Sequence, residues 1–140
     1  MDVQRLHSVH VVILGGGFAG LAAARARARA PVSITLIDRS NHHLFKPLLY
    51  QVASGTLPAP DISVPLRKLL RGQKNVTVLM SEVRAIEPDA RRVQFAGTEL
   101  DYDYLVVATG TTHSYIGNDA WARHAPGLKT IGEALDIRKR

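Results

Sequence analysis

The sequence predicts an α/β fold in which a parallel β-sheet with intervening helices is joined to an antiparallel meander. Three observations carry this: an apolar run from Val9 to Leu14 that stops at a glycine-rich turn, a second from Val32 to Ile37 that stops at Asp38, and a period-two alternation between Glu82 and Tyr102. Unbroken apolar runs mark strands buried on both faces, and alternation marks strands with one wet face.

The first run is interrupted only by His10, and the chain then reverses within Gly15-Gly16-Gly17-Phe18-Ala19-Gly20. Gly15 permits the tight turn, Gly17 removes a β-carbon where backbone approaches a pyrophosphate, and Gly20 lets the next helix pack closely on the sheet. From Phe18 the residues are strong helix formers, Leu21, Ala22, Ala23, Ala24, Arg25 and Ala26, until Pro31 forces a stop. The helix therefore begins inside the glycine motif. Its free N–H groups and positive dipole end face the turn and favour an anion by about 0.3–1 kcal/mol. Asp38 lies about 20 residues on, where an acid accepts hydrogen bonds from ribose hydroxyls and argues against a 2′-phosphate. A glycine turn alone is also compatible with a plain reversal. Strand, helix, second strand and acid in this order point to a dinucleotide.

Composition limits the alternatives. The 140 residues suit one domain, able to bury roughly 65–70% of its unfolded surface if the fold is complete. There is no cysteine, so disulfides, a dithiol redox centre and a thiolate metal site are excluded, and redox chemistry must come from a cofactor. The longest uncharged run, Val11 to Ala24, is too short to cross a bilayer, and Asp2 argues against a secretory leader. The expectation is a cytoplasmic chain. Lys and Arg number 18 against 12 Asp and Glu, which invites a nucleic-acid reading. Arg25, Arg27 and Arg29, spaced by two, form no single helical stripe, and Arg138-Lys139-Arg140 reads as a solvated helix end, so no nucleic-acid partner is expected.

After Asp38 a loop containing Arg39, His42, His43, Phe45, Lys46 and Pro47 leads into a short helix, Leu48 to Ser54, capped by Gly55. The adjacent histidines diverge and lack a ligand at metal spacing, so the pair reads as one packed and one exposed ring and no metal is expected. Pro58 and Pro60 keep the chain extended until Asp61 or Ser63 caps a helix with Pro65 in its first turn; Leu66, Leu69 and Leu70 share its inner face. Val76 to Met80 is a third strand. The alternating segment turns at Pro88-Asp89 and Gly97, and Tyr104 to Ala108 is again a buried strand, closed by Thr109-Gly110. This strand and the first are placed to flank one crevice. Thr130-Ile131-Gly132-Glu133 has capping-box spacing and announces a helix with Leu135 and Ile137 that looks cut short at Arg140.

With these residues in view the chain resembles the N-terminal part of type II NADH dehydrogenases, single-chain FAD-dependent NADH:quinone oxidoreductases. The resemblance runs along the whole chain, through VVILGGGFAGLAAA from Val11, LIDRSNHHLFKPLLYQVASGTL from Leu36, Asp61 to Leu70, YDYLVVATGTTHSYIG from Tyr102 and APGLKTIGEAL from Ala125. Many flavoproteins share the first motif; NHHLFKPLLYQVASG is far more particular. The resemblance implies a Rossmann-like FAD/NAD(P)-binding fold with an antiparallel meander crossover, and FAD as its cofactor. Gly15, Gly16, Gly17, Phe18, Ala19 and Gly20 would hold the pyrophosphate, with Asp38 on the adenosine ribose and Arg39 beside it. Val83 would meet the adenine through its backbone, Lys46, Pro47 and Leu48 would lie along the flavin, and Ala108, Thr109 and Gly110 would approach from the other strand. NADH would be the substrate of the complete enzyme and a membrane quinone its acceptor. No residue is assigned a catalytic role, because the cofactor supplies the chemistry.

The same resemblance implies that residues 1–140 are the N-terminal part of the FAD-binding domain. The second nucleotide unit, the returning strand and the membrane-binding region of such enzymes are expected to lie elsewhere, leaving a sheet incomplete at its C-terminal edge and prone to association. The complete relative would sit peripherally on the cytoplasmic face of the inner membrane. A non-catalytic flavin- or ADP-binding module is the alternative. A sulfide:quinone reductase is disfavoured because its chemistry needs cysteines.

Overall fold

A computed structural model describes residues 8–140. Asp2 lies outside the described residues. The chain divides into two compact units, one comprising the chain up to His43 with Pro65–Thr109, the other Leu44–Val64 with Gly110–Arg140.

The first unit is built on a four-stranded sheet of β1 (Val9–Leu14), β2 (Val32–Asp38), β5 (Val76–Met80) and β9 (Tyr104–Val107), in the order β5-β2-β1-β9. All three pairings are parallel, with Val12 opposite both Thr35 and Leu105. Strand alternation sends successive side chains to opposite faces, and each face has its own core. On one side Ile13, Ile34, Leu36 and Val78 pack with Leu21 and Ala24 of α1 (Phe18–Ala26) and with Leu66 and Leu70 of α3 (Leu66–Leu70). On the other, Val12, Leu14 and Ile37 pack against Val93 of the meander β6 (Val83–Glu87), β7 (Arg92–Phe95) and β8 (Thr98–Asp101). The runs of β1 and β2 lack alternation because both faces of the sheet are covered there, whereas β9, against the expectation of a buried strand, has no buried residue and leaves Tyr104 and Val107 exposed.

His10 is a structural residue. Its Nδ1 lies 2.9 Å from the Asp101 carbonyl and its Nε2 2.9 Å from Thr35 Oγ1, while its backbone N–H donates to Asp103.

The structure corrects three local expectations. The helix after the glycine turn ends at Ala26, and Arg27, Ala28 and Ala30 donate to carbonyls three residues back, so tight turns rather than Pro31 end it. Neither Asp61 nor Ser63 caps α3; Pro65 occupies the cap position, and Ser63 Oγ donates to the Ala59 carbonyl instead. His42–Leu44 is a short strand, β3, which pairs with β4 (Ser63–Pro65) where the chain leaves and re-enters the first unit.

In the second unit a single 3-10 turn, Lys46–Leu48, precedes α2 (Leu49–Ala53), which packs on α4 (Ile131–Arg138) through Leu49, Val52, Ile62 and Ala134. Gly55 follows the end of α2 at φ +79°, the left-handed conformation expected of a helix-terminating glycine. The capping box forms: Thr130 Oγ1 accepts from the Glu133 N–H at 3.2 Å, and Glu133 Oε2 accepts from the Thr130 N–H at 2.9 Å.

Candidate functional site

The carboxyl ends of β1, β2 and β9 converge on the glycine turn. Gly15 N–H donates to the Ile37 carbonyl at 2.8 Å, and Ala108 N–H donates to the Leu14 carbonyl at 2.8 Å, so the turn is tied to its neighbours on both sides. The winding of the sheet reverses at this place, since β1 has β2 on one flank and β9 on the other. In open α/β sheets this is where ligands bind.

Each glycine has a separate requirement. Gly15 has φ +101°, and a β-carbon there would overlap the Ala108 carbonyl. A β-carbon on Gly20 would strike the Gly15 carbonyl, and one on Gly16 would strike Leu66, which is fully buried beneath it. Gly17 differs: nothing lies within 4 Å of its β-carbon position. Three positions are thus fixed by the protein's own packing, and the fourth faces open space at the cap of α1. A helix onset with an uncrowded glycine at its cap fits a diphosphate.

Asp38 closes the turn from the end of β2. Its Oδ2 accepts from Gly16 N–H at 2.5 Å and its Oδ1 from Ser40 N–H at 2.6 Å. Ser81 N–H donates to the Asp38 carbonyl at 2.9 Å, which brings the connection leading to Val83 alongside the acid. Arg39 is exposed, Ala108 half-buried and Thr109 exposed, all in this unit. The structure therefore brings together Gly15, Gly16, Gly17, Phe18, Ala19, Gly20, Asp38, Ala108 and Thr109. Lys46, Pro47, Leu48 and Gly110 belong to the second unit, where Lys46 and Pro47 are exposed and Gly110 has φ +75°.

Sequence reasoning assigned His43 no role in the site. The histidines are both half-buried, not one packed and one exposed. His43 Nδ1 lies 3.0 Å from the Gly16 carbonyl, and its ring meets Phe18 edge-on at 4.8 Å. Its place in the family-particular NHHLFKPLLYQ segment was the available signal, but only the pairing of β3 decides which ring turns toward the glycines. Among the described residues no group of three or more His, Cys, Asp or Glu side chains is arranged to hold a metal, and no helix is long and apolar enough to cross a membrane.

The chain is 52% identical over 134 residues to the type II NADH:quinone oxidoreductase NdhA of Mycobacterium tuberculosis, a match covering 93% of this chain and 28% of the relative. It is 35% identical over 134 residues to the sulfide-quinone reductase of Aquifex aeolicus, covering 94% of this chain and 31% of the relative. Among solved structures, NDH2 of Plasmodium falciparum in complex with NADH superposes with a TM-score of 0.85 at 26% identity, over 94% of this chain and 28% of that one. The chain thus spans under a third of the length of these relatives. The model of the pyridine nucleotide-disulphide oxidoreductase family matches residues 9–139, and the chain belongs to that family.

Proposed function

We propose that this chain supplies the FAD-binding portion of an NADH:quinone oxidoreductase. The observation that carries the reading is the glycine turn, whose packing fixes Gly15, Gly16 and Gly20 and leaves Gly17 open at the helix onset, with Asp38 bonded to the same loop. The 52% identity to a type II NADH:quinone oxidoreductase supports reading the dinucleotide as FAD, and NADH and a quinone as the reactants of the whole protein. FAD held by these residues would supply the hydride-accepting and two-electron-donating chemistry between NADH and the quinone.

The residues of the chain bind and orient. Gly15, Gly16, Gly17, Phe18, Ala19 and Gly20 would hold the diphosphate, with Gly15 setting the turn and the Gly16 N–H already donated to Asp38. Asp38 would take the adenosine ribose through the lone pairs left over from Gly16 and Ser40, with Arg39 beside it. Val83 would meet the adenine with its backbone. Ala108, Thr109 and Gly110, which follow β9, would border the cofactor, and Lys46, Pro47 and Leu48 would lie along the flavin. Because a quinone is a lipid-phase acceptor, the whole protein would work peripherally at a membrane, on its cytoplasmic face. The second nucleotide unit and the membrane-binding region would come from the remainder of such a protein, with residues 1–140 as the N-terminal part of its FAD domain.

The test is a titration of the purified polypeptide with FAD, followed by flavin fluorescence. Stoichiometric retention that is lost on changing Gly17 is the expected result. A chain that folds and takes up neither FAD nor ADP overturns the reading.

A further inference from the structure

We propose that His43 is a positioning residue for the nucleotide loop: its ring holds the Gly16–Gly17 peptide so that the Gly17 N–H faces the open side of the turn. The inference rests on the reading of this unit as a FAD site, which it deepens.

The argument begins with the hydrogen bond at 3.0 Å between His43 Nδ1 and the Gly16 carbonyl. A carbonyl oxygen can only accept, so Nδ1 carries the proton and donates. The Gly16 carbonyl belongs to the same peptide group as the Gly17 N–H. Peptide groups are planar, and the Gly16–Gly17 bond is trans, so the two point in opposite directions. Fixing the oxygen on His43 therefore aims the Gly17 N–H away from the histidine; Gly17 itself is uncrowded, a β-carbon on it meeting nothing within 4 Å.

The neighbouring peptide is fixed from the other side. Asp38 Oδ2 accepts from Gly16 N–H, and the carbonyl of that same peptide, Gly15 O, abuts Gly20. Asp38 and His43 thus clamp the two peptide groups that flank Gly16. Such clamps matter in this segment because glycine has the widest conformational freedom of any residue. A flipped Gly16–Gly17 peptide would present a carbonyl oxygen in place of an N–H, which an anion rejects. The ring is itself held: it meets Phe18, the first residue of α1, at 4.8 Å with an interplanar angle of 83°. Loop and helix onset are therefore braced by one side chain from β3.

The experiment compares the whole polypeptide with His43→Asn, which keeps an N–H donor near the position of Nδ1, and His43→Leu, which does not. FAD affinity is read by flavin fluorescence, and the direction of the Gly17 N–H by residual dipolar couplings without cofactor. His43→Leu is expected to weaken FAD binding about fivefold to tenfold, the worth of one hydrogen bond or slightly more. It is also expected to reorient the Gly17 N–H, and His43→Asn should stay within about twofold of the parent in affinity. Equal affinity in the parent and His43→Leu, or an equal loss in both variants, overturns the proposal. If the parent takes up neither FAD nor ADP, the cofactor reading fails, and the couplings judge His43 alone: an unchanged Gly17 vector in His43→Leu overturns its role and a changed one upholds it.

Discussion

Asp38 Oδ2 accepts the Gly16 N–H at 2.5 Å, so the acid that ends the second strand and the turn that ends the first form one hydrogen-bonded unit across 22 residues. Its other oxygen holds Ser40 N–H at 2.6 Å. A carboxylate offers about four lone-pair sites, so bonding the loop still leaves acceptor capacity for a ribose. One side chain can both shape the anion site and bind the sugar next to it.

Asp38→Ala should therefore reduce stability as well as binding. It leaves two backbone donors without their charged acceptor, and the expected loss is about 1–3 kcal/mol by urea denaturation. FAD affinity should fall at least about tenfold. Asp38→Asn keeps one oxygen and should lie between. An Asp38→Ala chain as stable as the parent would show that the Gly16 and Ser40 bonds carry no net stabilisation.

Gly17 and Gly20 should behave as opposites. In Gly20→Ala the new methyl meets the Gly15 carbonyl, which is backbone and cannot swing aside. The cost is expected at about 1–3 kcal/mol or more. In Gly17→Ala the methyl enters open space at a φ of −71° that alanine adopts freely. Stability should fall by no more than about 1 kcal/mol, the scale of a lost helix-cap preference, while FAD affinity falls more than about tenfold. Calorimetry with FAD titration checks both, and retained affinity in a folded Gly17→Ala chain would place the cofactor elsewhere.

The parts legible in the sequence are those set by local pattern. β1, β5 and the meander lie where apolar runs and alternation put them, and the capping box at Thr130 forms as its spacing predicts. What was not legible depends on partners distant in the chain. β3 is three residues long and exists because β4 pairs with it, so no propensity marks it. Ser63 has the chemistry of a helix cap, yet its hydroxyl donates to Ala59 and the helix begins three residues later. The Gly-to-Asp spacing revealed Asp38, because that relation has a standard geometry. His43 reaches Gly16 across 27 residues by way of an unmarked strand, and no spacing rule announces it.

The second unit should loosen in acid through Glu133. Burial pushes its carboxyl up, but the N–H groups of Lys129 and Thr130 and the His113 ring outweigh that and hold it below the ordinary Glu range. A carboxyl depressed in the folded state contributes stability above its unfolded pKa, and loses it as pH falls through the folded value. The window thus opens below about 4.3 and extends downward. Thermal unfolding followed by Trp121, the sole tryptophan and in the same unit, should show a steeper fall between about pH 5 and about pH 3 in the parent than in Glu133→Gln. Parallel curves would remove Glu133 as the cause.

The outer edge of the sheet should govern self-association. Among the described residues β9 pairs only with β1, and Tyr104 and Val107 on it are 64% and 61% exposed. An open edge offers unpaired N–H and C=O groups to any extended chain, and apolar side chains there do nothing to repel one; a lysine opposes edge-to-edge pairing by charge and by its hydration. Val107→Lys should accordingly lower concentration-dependent association, measured by light scattering and sedimentation. It should change stability by no more than about 0.5 kcal/mol, as expected of an exposed position. The contrasting substitution Val93→Lys strikes a fully buried meander residue and should unfold the chain, not solubilise it. Undiminished association in a folded Val107→Lys chain would show that the sticky surface is not this edge.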